Sequence, residues 1–562
     1  MIRTGKHRRY LTALLVITLA TLVVGPARSA DLLPPGKPLA QTWSIVAGQG
    51  IGQNWDVEQS PDGKIYVGGT SSLLEFDGAQ WSSIATPDEG RVRDLQIDSS
   101  GRIWVASPGE FGYFSHDERG DLRYHSISQY LPADEQDFGE TRFVRLLGDV
   151  VYFNTHQRVY QWANGKLTTF DKWDGLFRLA FVAHGRYYVA VKNRIYDLTD
   201  LPANGQIPTP QERWLWPDKA RITFLHSWDE DQLLLGTYDD GLYLLSNDKA
   251  ERFANDESLL AAWPYKPLLL DDGSLVVATI QSGIFHYSTS GELLEQVNDS
   301  NGLPVNNTLG LAMDHEGGLW LGQEGAIARV ELTSSVRYYD KDAQAAFIRA
   351  VIEYNGHLLT GGSNALGVLE THERRALVRK LELPVVQESY DLHATDHGVL
   401  VSGFNGVYQV KLDESASQVI SSKRLYEDTY SYDLFPSQSG SIIYIESENG
   451  LGVLVEDETG WVALPPVEGI TDRPMSVAEG TDNHVWVGTG DGRYYRLAWI
   501  DKENLQLKEI FDAGNGVPPG NAQVFRLDDR LVFATTSGGY RLTADASALE
   551  ADPDFGNQQS PQ

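Results

Sequence analysis

"GLPVNNTLGLAMDHEGGLWLGQEGAIARVEL", residues 302–332, reads as an opening turn, a strand, a tight turn, a second strand, another tight turn and a third strand. Leu309, Leu311 and Met313 point one way, and past the turn at 314–318 Leu319 and Leu321 share a face, the period of two that half-buried strands require. Asp, His, Glu and Gly at the turn supply residues that tolerate tight hairpin geometry.

The same pattern recurs along the chain. Its middle turn and second strand return as "PDGKIYVGGT" at Pro61, "SSGRIWVASP" at Ser99, "DDGSLVVATI" at Asp271, "DHGVLVSGFN" at Asp396 and "TDNHVWVGTG" at Thr481, with others between. About twelve units follow one another at roughly 37 to 47 residues, the period of a four-stranded propeller blade. Trp104, Trp320 and Trp486 fall at matching positions and are expected to wedge between neighbouring sheets. The predicted fold is all-β, tandem β-propellers of about twelve blades. One ring holds about four to eight blades, so two rings are expected.

The rhythm breaks at 331–347. The first ring is therefore placed at 39–336, seven-bladed and closed by an outer strand from the stretch "PLAQTWSIVAGQGIGQNW" that precedes the first unit. A second, incomplete ring is placed at 338–545, followed at 546–562 by an acidic linker or the start of a next blade.

With 46 Lys and Arg against 77 Asp and Glu, the net charge of −31 repels phosphate backbones and anionic lipid, which argues against nucleic acid as a partner. Residues 1–29 have a basic start, an apolar run and a small-residue end, the three parts of a secretory signal peptide. A periplasmic location follows. There is no cysteine, so neither disulfides nor thiolate metal sites contribute.

The repeat resembles the two-component regulator propeller repeat, G-L-x-x-N-x-V-x-x-I-x-x-D-x-x-G-x-L-W-I-G-T-x-x-G-L. Gly302, Leu303, Asn306, Leu309, Asp314, Gly317 or Gly318, Leu319, Trp320, Leu321, Gly322 and Gly325 match it, and near the start Asn54, Asp62, Gly63 and Gly68 follow the same order. Gln323 departs from the usual Thr, and the units at Leu147 and Ala183 lack the leading Asn and Asp. The resemblance covers nearly all of the chain after 29. It implies paired seven-bladed propellers that form the periplasmic sensor of hybrid two-component kinases or diguanylate cyclases. It also implies a C-terminal output beyond this sequence, a membrane link only through such later segments, and a homodimer as an assembly open to the full-length protein. About 84 further residues, two repeat periods, would bring the count to fourteen.

No local signature of catalysis occurs: no H-E-x-x-H, no G-x-S-x-G and no phosphate-cradling G-x-x-x-x-G-K. No cofactor and no metal site are expected, and the chain is read as a non-enzymatic sensor of a small molecule or saccharide. The alternative is a secreted propeller hydrolase or lyase acting on glycans, because such enzymes collect carboxylates, Tyr and Arg from different blades and leave no local motif. Ligand contacts are expected on loops that emerge on one face: Glu110, Phe111, Tyr113, His156, Tyr238, Asp239, Asn364, Asn405 and Asp491. In "SPGEFGYF", residues 107–114, Phe111 and Tyr113 either pack against the next blade or form a stacking platform.

Overall fold

The computed structural model describes residues 36–555 apart from 45–51, 88–89, 171–176, 192–193, 201–210, 216–220, 247–248, 255, 340–346, 373–374, 384–385, 459 and 482. The expected signal peptide lies outside the described residues. The described residues form twelve four-stranded antiparallel sheets, eleven of them meanders of consecutive strands, and the chain divides into two compact units that meet in sequence between Tyr338 and Tyr339.

The first unit, Lys37–Tyr338, holds seven sheets. Their innermost strands are Asp56–Gln59, Asp94–Ile97, Phe143–Leu147, Phe177–Ala183, Ile222–Ser227, Pro264–Leu269 and Thr308–Met313. Each packs on the next, and the last packs on the first, so the ring is closed. That final approach is tight: a Cβ on Gly310 would stand 2.9 Å from the Asp56 carbonyl carbon, which only glycine avoids. The seventh sheet takes its outer strand from the far end of the unit, Ala40–Ser44 pairing with Ala326–Val330 in the register Ala40↔Val330. Lys37–Pro38 pairs in turn with Arg337–Tyr338, so the unit extends slightly beyond the 39–336 expected.

Side chains stitch neighbouring sheets together at the centre. Asp56 and Glu58 accept the backbone N–H groups of Leu95 and Ile97 at 3.2 and 2.9 Å, and Asp94 and Gln96 accept those of Val144 and Leu146 at 2.7 and 2.9 Å. Residues two apart on a strand point the same way, so each of these two inner strands presents a pair of acceptors to the next sheet while Val57, between the first pair, faces the opposite core beside Trp320. Between sheets the faces are apolar, as where Leu311, Leu319 and Leu321 meet Val276 and Ala278. Trp104, Trp320 and Trp486 are all buried as wedges.

The second unit holds five sheets, with first strands Ile348–Tyr354, Ser389–Thr395, Ser431–Pro436, Pro474–Glu479 and Ala522–Leu527. Its fifth sheet corrects the reading of 546–562. Leu549–Ala551 is not linker but the fourth strand of that sheet, with Leu549 opposite Leu542 and buried beneath it. The acidic residues around Leu549 disguised a strand whose pairing depends on one inward-facing side chain. No helix among the described residues is long and apolar enough to cross a membrane.

Candidate functional site at the centre of the first ring

The axial end of a propeller is where strand starts from different sheets converge, and in the first unit those starts carry Trp55, Arg93, Arg142, Arg221 and Trp263. Arg93 lies flat over the indole of Trp55, its guanidinium 3.7 Å from the ring. Arg142, one sheet further on, is close enough to Arg93 to disfavour its charge, and burial disfavours it more. Among the described residues neither guanidinium has a carboxylate at ion-pair distance; of their neighbours, only Arg91 reaches Glu140, at 3.9 Å. The Nε of Arg142 and the Nε1 of Trp55 are buried donors without a partner among the described residues. Buried donors of this kind call for an acceptor.

Opposite them stands Trp263. The short helix Glu257–Ala262, capped by Asp256 accepting the Ser258 N–H at 2.9 Å, ends on Trp263 with φ of 61°, a left-handed conformation that is costly for a bulky side chain. The strained carbonyl is held by the Ile280 N–H at 3.1 Å. The strain brings the indole to 4.8 Å from the Tyr238 ring, on whose other contact Arg221 sits at 4.0 Å. Arg221 also meets Asp239 at 3.4 Å. Tyr265 follows Trp263 by two residues at a register shift in its strand, and its phenol is buried and raised above the ordinary range, against the pull of Arg93.

Behind this mouth the inner strands line the axis with charge. Lys266 Nζ donates to Asp56, Arg145 Nη1 to Asp94 at 2.5 Å, and Arg145 Nε to the Ala180 carbonyl at 2.8 Å. Burial pushes Asp94 up to about 6 despite Arg145. Glu58 is pushed up to about 8, by burial first and then by the negative charge of Asp56, with Lys266 and the Ile97 N–H pulling the other way. His226 is lowered by burial and by Lys266.

The expected contact residues fare unequally. Tyr238 and Asp239 belong to the mouth. Phe111 does not: it is fully buried, stacked on Tyr160 at 5.0 Å and against Phe138 and Phe153, which settles the choice in 107–114 for packing. Tyr113 leans on Trp104 at 4.7 Å and stacks on His125 at 4.8 Å along the body of its sheet. Glu110 is spent holding the strand beyond, accepting from the Phe111 N–H at 2.8 Å and from the hydroxyls of Ser126 and Ser128. His156 sits half-buried in the turn between Val150–Asn154 and Val159–Ala163. Asn364, Asn405 and Asp491 occupy hairpin turns of the second unit, Asn405 with φ of 70° and its N–H donated to the Thr429 carbonyl at 3.1 Å. Sequence reasoning missed Trp55, Arg93, Arg142 and Trp263, although each stands immediately before an inner strand.

Among solved structures, the extracellular domain of a putative hybrid two component system from B. thetaiotaomicron resembles this chain with a TM-score of 0.63 at 14% identity, over 93% of this chain and 74% of that one. The likeness is one of fold. The extracellular domain of a putative one component system from the same organism gives 0.43 at 14% identity, over 93% and 74% of the two chains. Virginiamycin B lyase from Staphylococcus aureus gives 0.42 at 12% identity over 52% and 99%. No family model and no curated protein matches the sequence. Among the described residues no group of three or more His, Asp or Glu is placed to hold a metal ion.

Proposed function

We propose that this chain is the exported, ligand-binding region of a signalling protein, and that the first ring takes an anionic small molecule, such as an acidic saccharide, at the mouth built on Trp55, Arg93 and Arg142. The carrying observation is that these two arginines, in a protein of net charge −31, stand half-buried among aromatic rings without carboxylate partners among the described residues. A carboxylate or sulfate ester would supply the acceptor that the Arg142 Nε and Trp55 Nε1 want, and the rings of Trp55, Trp263 and Tyr238 offer faces for a sugar. The fold shared with an extracellular domain of a two component system supports the sensing role. Calorimetric titration of the full chain with an unsaturated heparin disaccharide and with a galacturonate oligomer tests it. Arg93→Ala is expected to weaken binding of the acidic sugar by about tenfold or more, the worth of one charge-assisted contact. Binding that is unchanged in Arg93→Ala and Arg142→Ala, or no binding of either acidic sugar, would overturn the proposal.

A second reading has its own observation. Glu58, pushed up to about 8, holds its proton at neutral pH in the company of Asp56, Asp94 and Lys266, which is an acid and base set in one channel. On that reading the ring is a hydrolase or lyase of acidic glycans with Glu58 as proton donor. Accumulation of shortened or unsaturated product from polygalacturonate, abolished by Glu58→Gln, would establish it in place of the sensor.

A further inference from the structure

Register shifts recur in the inner strands of both units, and the first four of the second unit all carry one, the fourth between Pro474 and Ser476. The first three fall between Ile348 and Ala350, between Ser389 and Asp391, and between Ser431 and Leu434, each against its neighbouring strand. The residues left over by these shifts include Arg349, Tyr390 and Tyr432. A bulge leaves a residue unpaired and re-aims its side chain, so three consecutive sheets thrust one side chain each from the same level.

Those side chains meet in a line. The Arg349 guanidinium is 4.8 Å from the Tyr390 ring, Tyr390 is 5.1 Å from Tyr432, and Arg473, which precedes the fourth inner strand, covers Tyr432 at 3.7 Å. Tyr430 lies beside this row and not beyond it, nearly parallel to Tyr432 at 6.0 Å with 16° between planes and 6.4 Å from Tyr390. Unlike Phe111, these tyrosines belong to none of the buried apolar clusters among the described residues, and each is only half-buried. Unlike Arg93 and Arg142, both arginines are neutralised, Arg349 by Glu388 at 3.1 Å and Arg473 by Glu446, with Nε at 2.6 Å. Acceptors stand beside the rings: the Tyr432 hydroxyl donates to Glu448 at 3.1 Å.

A strip of ring faces propped by neutralised guanidinia, with hydroxyl and carboxylate acceptors beside it, suits a ligand that is apolar on its face and hydroxylated on its edge. A pyranose has that chemistry, because its axial C–H groups cover one face while its hydroxyls project around the rim. We infer that the strip formed by Arg349, Tyr390, Tyr432 and Arg473 is a binding platform for a neutral saccharide, separate from the anionic site of the first unit. The inference stands on this geometry and does not require the first site to function.

The test is titration of the full chain with maltohexaose, cellohexaose, xylohexaose and mannohexaose, followed by calorimetry and by intrinsic fluorescence. At least one is expected to bind. Tyr432→Ala and Tyr390→Ala are each expected to weaken that binding by about tenfold, the worth of one stacked ring, whereas Tyr432→Phe, which keeps the ring, retains it within about threefold. Arg93→Ala is expected to leave it unchanged. Melting curves of each variant establish that the second unit remains folded, and Tyr432→Phe keeps the comparison sound if an alanine variant unfolds. Binding by none of the four sugars, binding that survives both alanine substitutions, or binding abolished by Arg93→Ala would overturn the inference.

Discussion

Trp486 lacks the partner that Trp104 and Trp320 keep. In the second and seventh sheets an Asp six residues earlier caps the hairpin and accepts the indole N–H, Asp98 at 2.9 Å and Asp314 at 2.8 Å. At the corresponding place before Trp486 stands Gly480, whose backbone still closes the turn by donating to the His484 carbonyl at 2.8 Å, but the Trp486 Nε1 is buried without a partner among the described residues. Asp314 also accepts from the Gly318 N–H at 2.8 Å and from Arg329 Nε at 2.6 Å. Burial opposes its ionisation, and those donors together outweigh burial and hold the carboxyl below its ordinary range. Asp314→Ala is therefore expected to destabilise the first unit by about 2 to 3 kcal/mol, the cost of orphaning buried donors, read from the denaturant midpoint. Gly480→Asp works in the opposite direction. Gly480 lines a cleft beside Trp486 and Phe533 with room for a carboxyl, and the substitution is expected to stabilise the second unit by about 1 kcal/mol.

At the scale of the element, the closing strand Ala40–Ser44 is held by rings. Trp43 stacks on Trp320 at 5.0 Å with 7° between planes and touches Phe76 at 5.3 Å and Trp81 at 5.9 Å, so one indole from the returning strand joins the seventh sheet to the first. Trp43→Ala is expected to cost about 3 to 5 kcal/mol and to loosen the outer edge of the seventh sheet, visible as faster hydrogen exchange at the amides of Ala326–Val330. The strands themselves were legible because their causes are local: an Asp that caps a turn, a Gly that permits it, and alternation on either side. Leu549–Ala551 escaped because three residues carry too short a pattern. Phe111 stayed open between packing and binding because the sequence shows an aromatic beside a turn but not the Phe138 and Tyr160 that cover it, which arrive from loop and neighbouring sheet. Trp55, Arg93 and Arg142 were invisible for the same reason in reverse. Each is an ordinary residue before a strand, and only the stacking of the first three sheets on one another sets the three side by side.

Taken as a whole ring, the first unit holds protons at its axis that an unfolded chain would release. Glu58 and Asp94 are both raised, to about 8 and about 6, by burial above all, in a field set by Asp56, Lys266, Arg145, His226, Arg93 and Tyr265 from the surrounding strands. A raised carboxyl means that the folded state binds more protons than the unfolded state between the two values, so stability falls as pH rises through that window. For Glu58 the window runs from 4.5 to about 8. The melting temperature of the first unit is expected to be several degrees lower near pH 8.5 than near pH 6, and Glu58→Gln to remove much of that difference by raising the alkaline value. A melting temperature that climbs from pH 6 to pH 8.5 would show the axis to be ionised in the fold.

The return of Ala40–Ser44 to the seventh sheet also sets a clock. The Asn54 side chain that donates to the Gln323 and Ala326 carbonyls at 2.9 Å reaches across 269 and 272 residues of sequence, and none of this pairing can form until the last of seven sheets exists. Six sheets can fold as local meanders at the pace of hairpins, while closure waits on the most distant contact in the unit and exposes the Trp320 face in the interval. Moving the segment 37–44 to follow Val330 would make the pairing of Ala40–Ser44 with Ala326–Val330 local while the Asn54 contacts stay distant, and the slowest refolding phase should then speed up without vanishing while the melting temperature changes little.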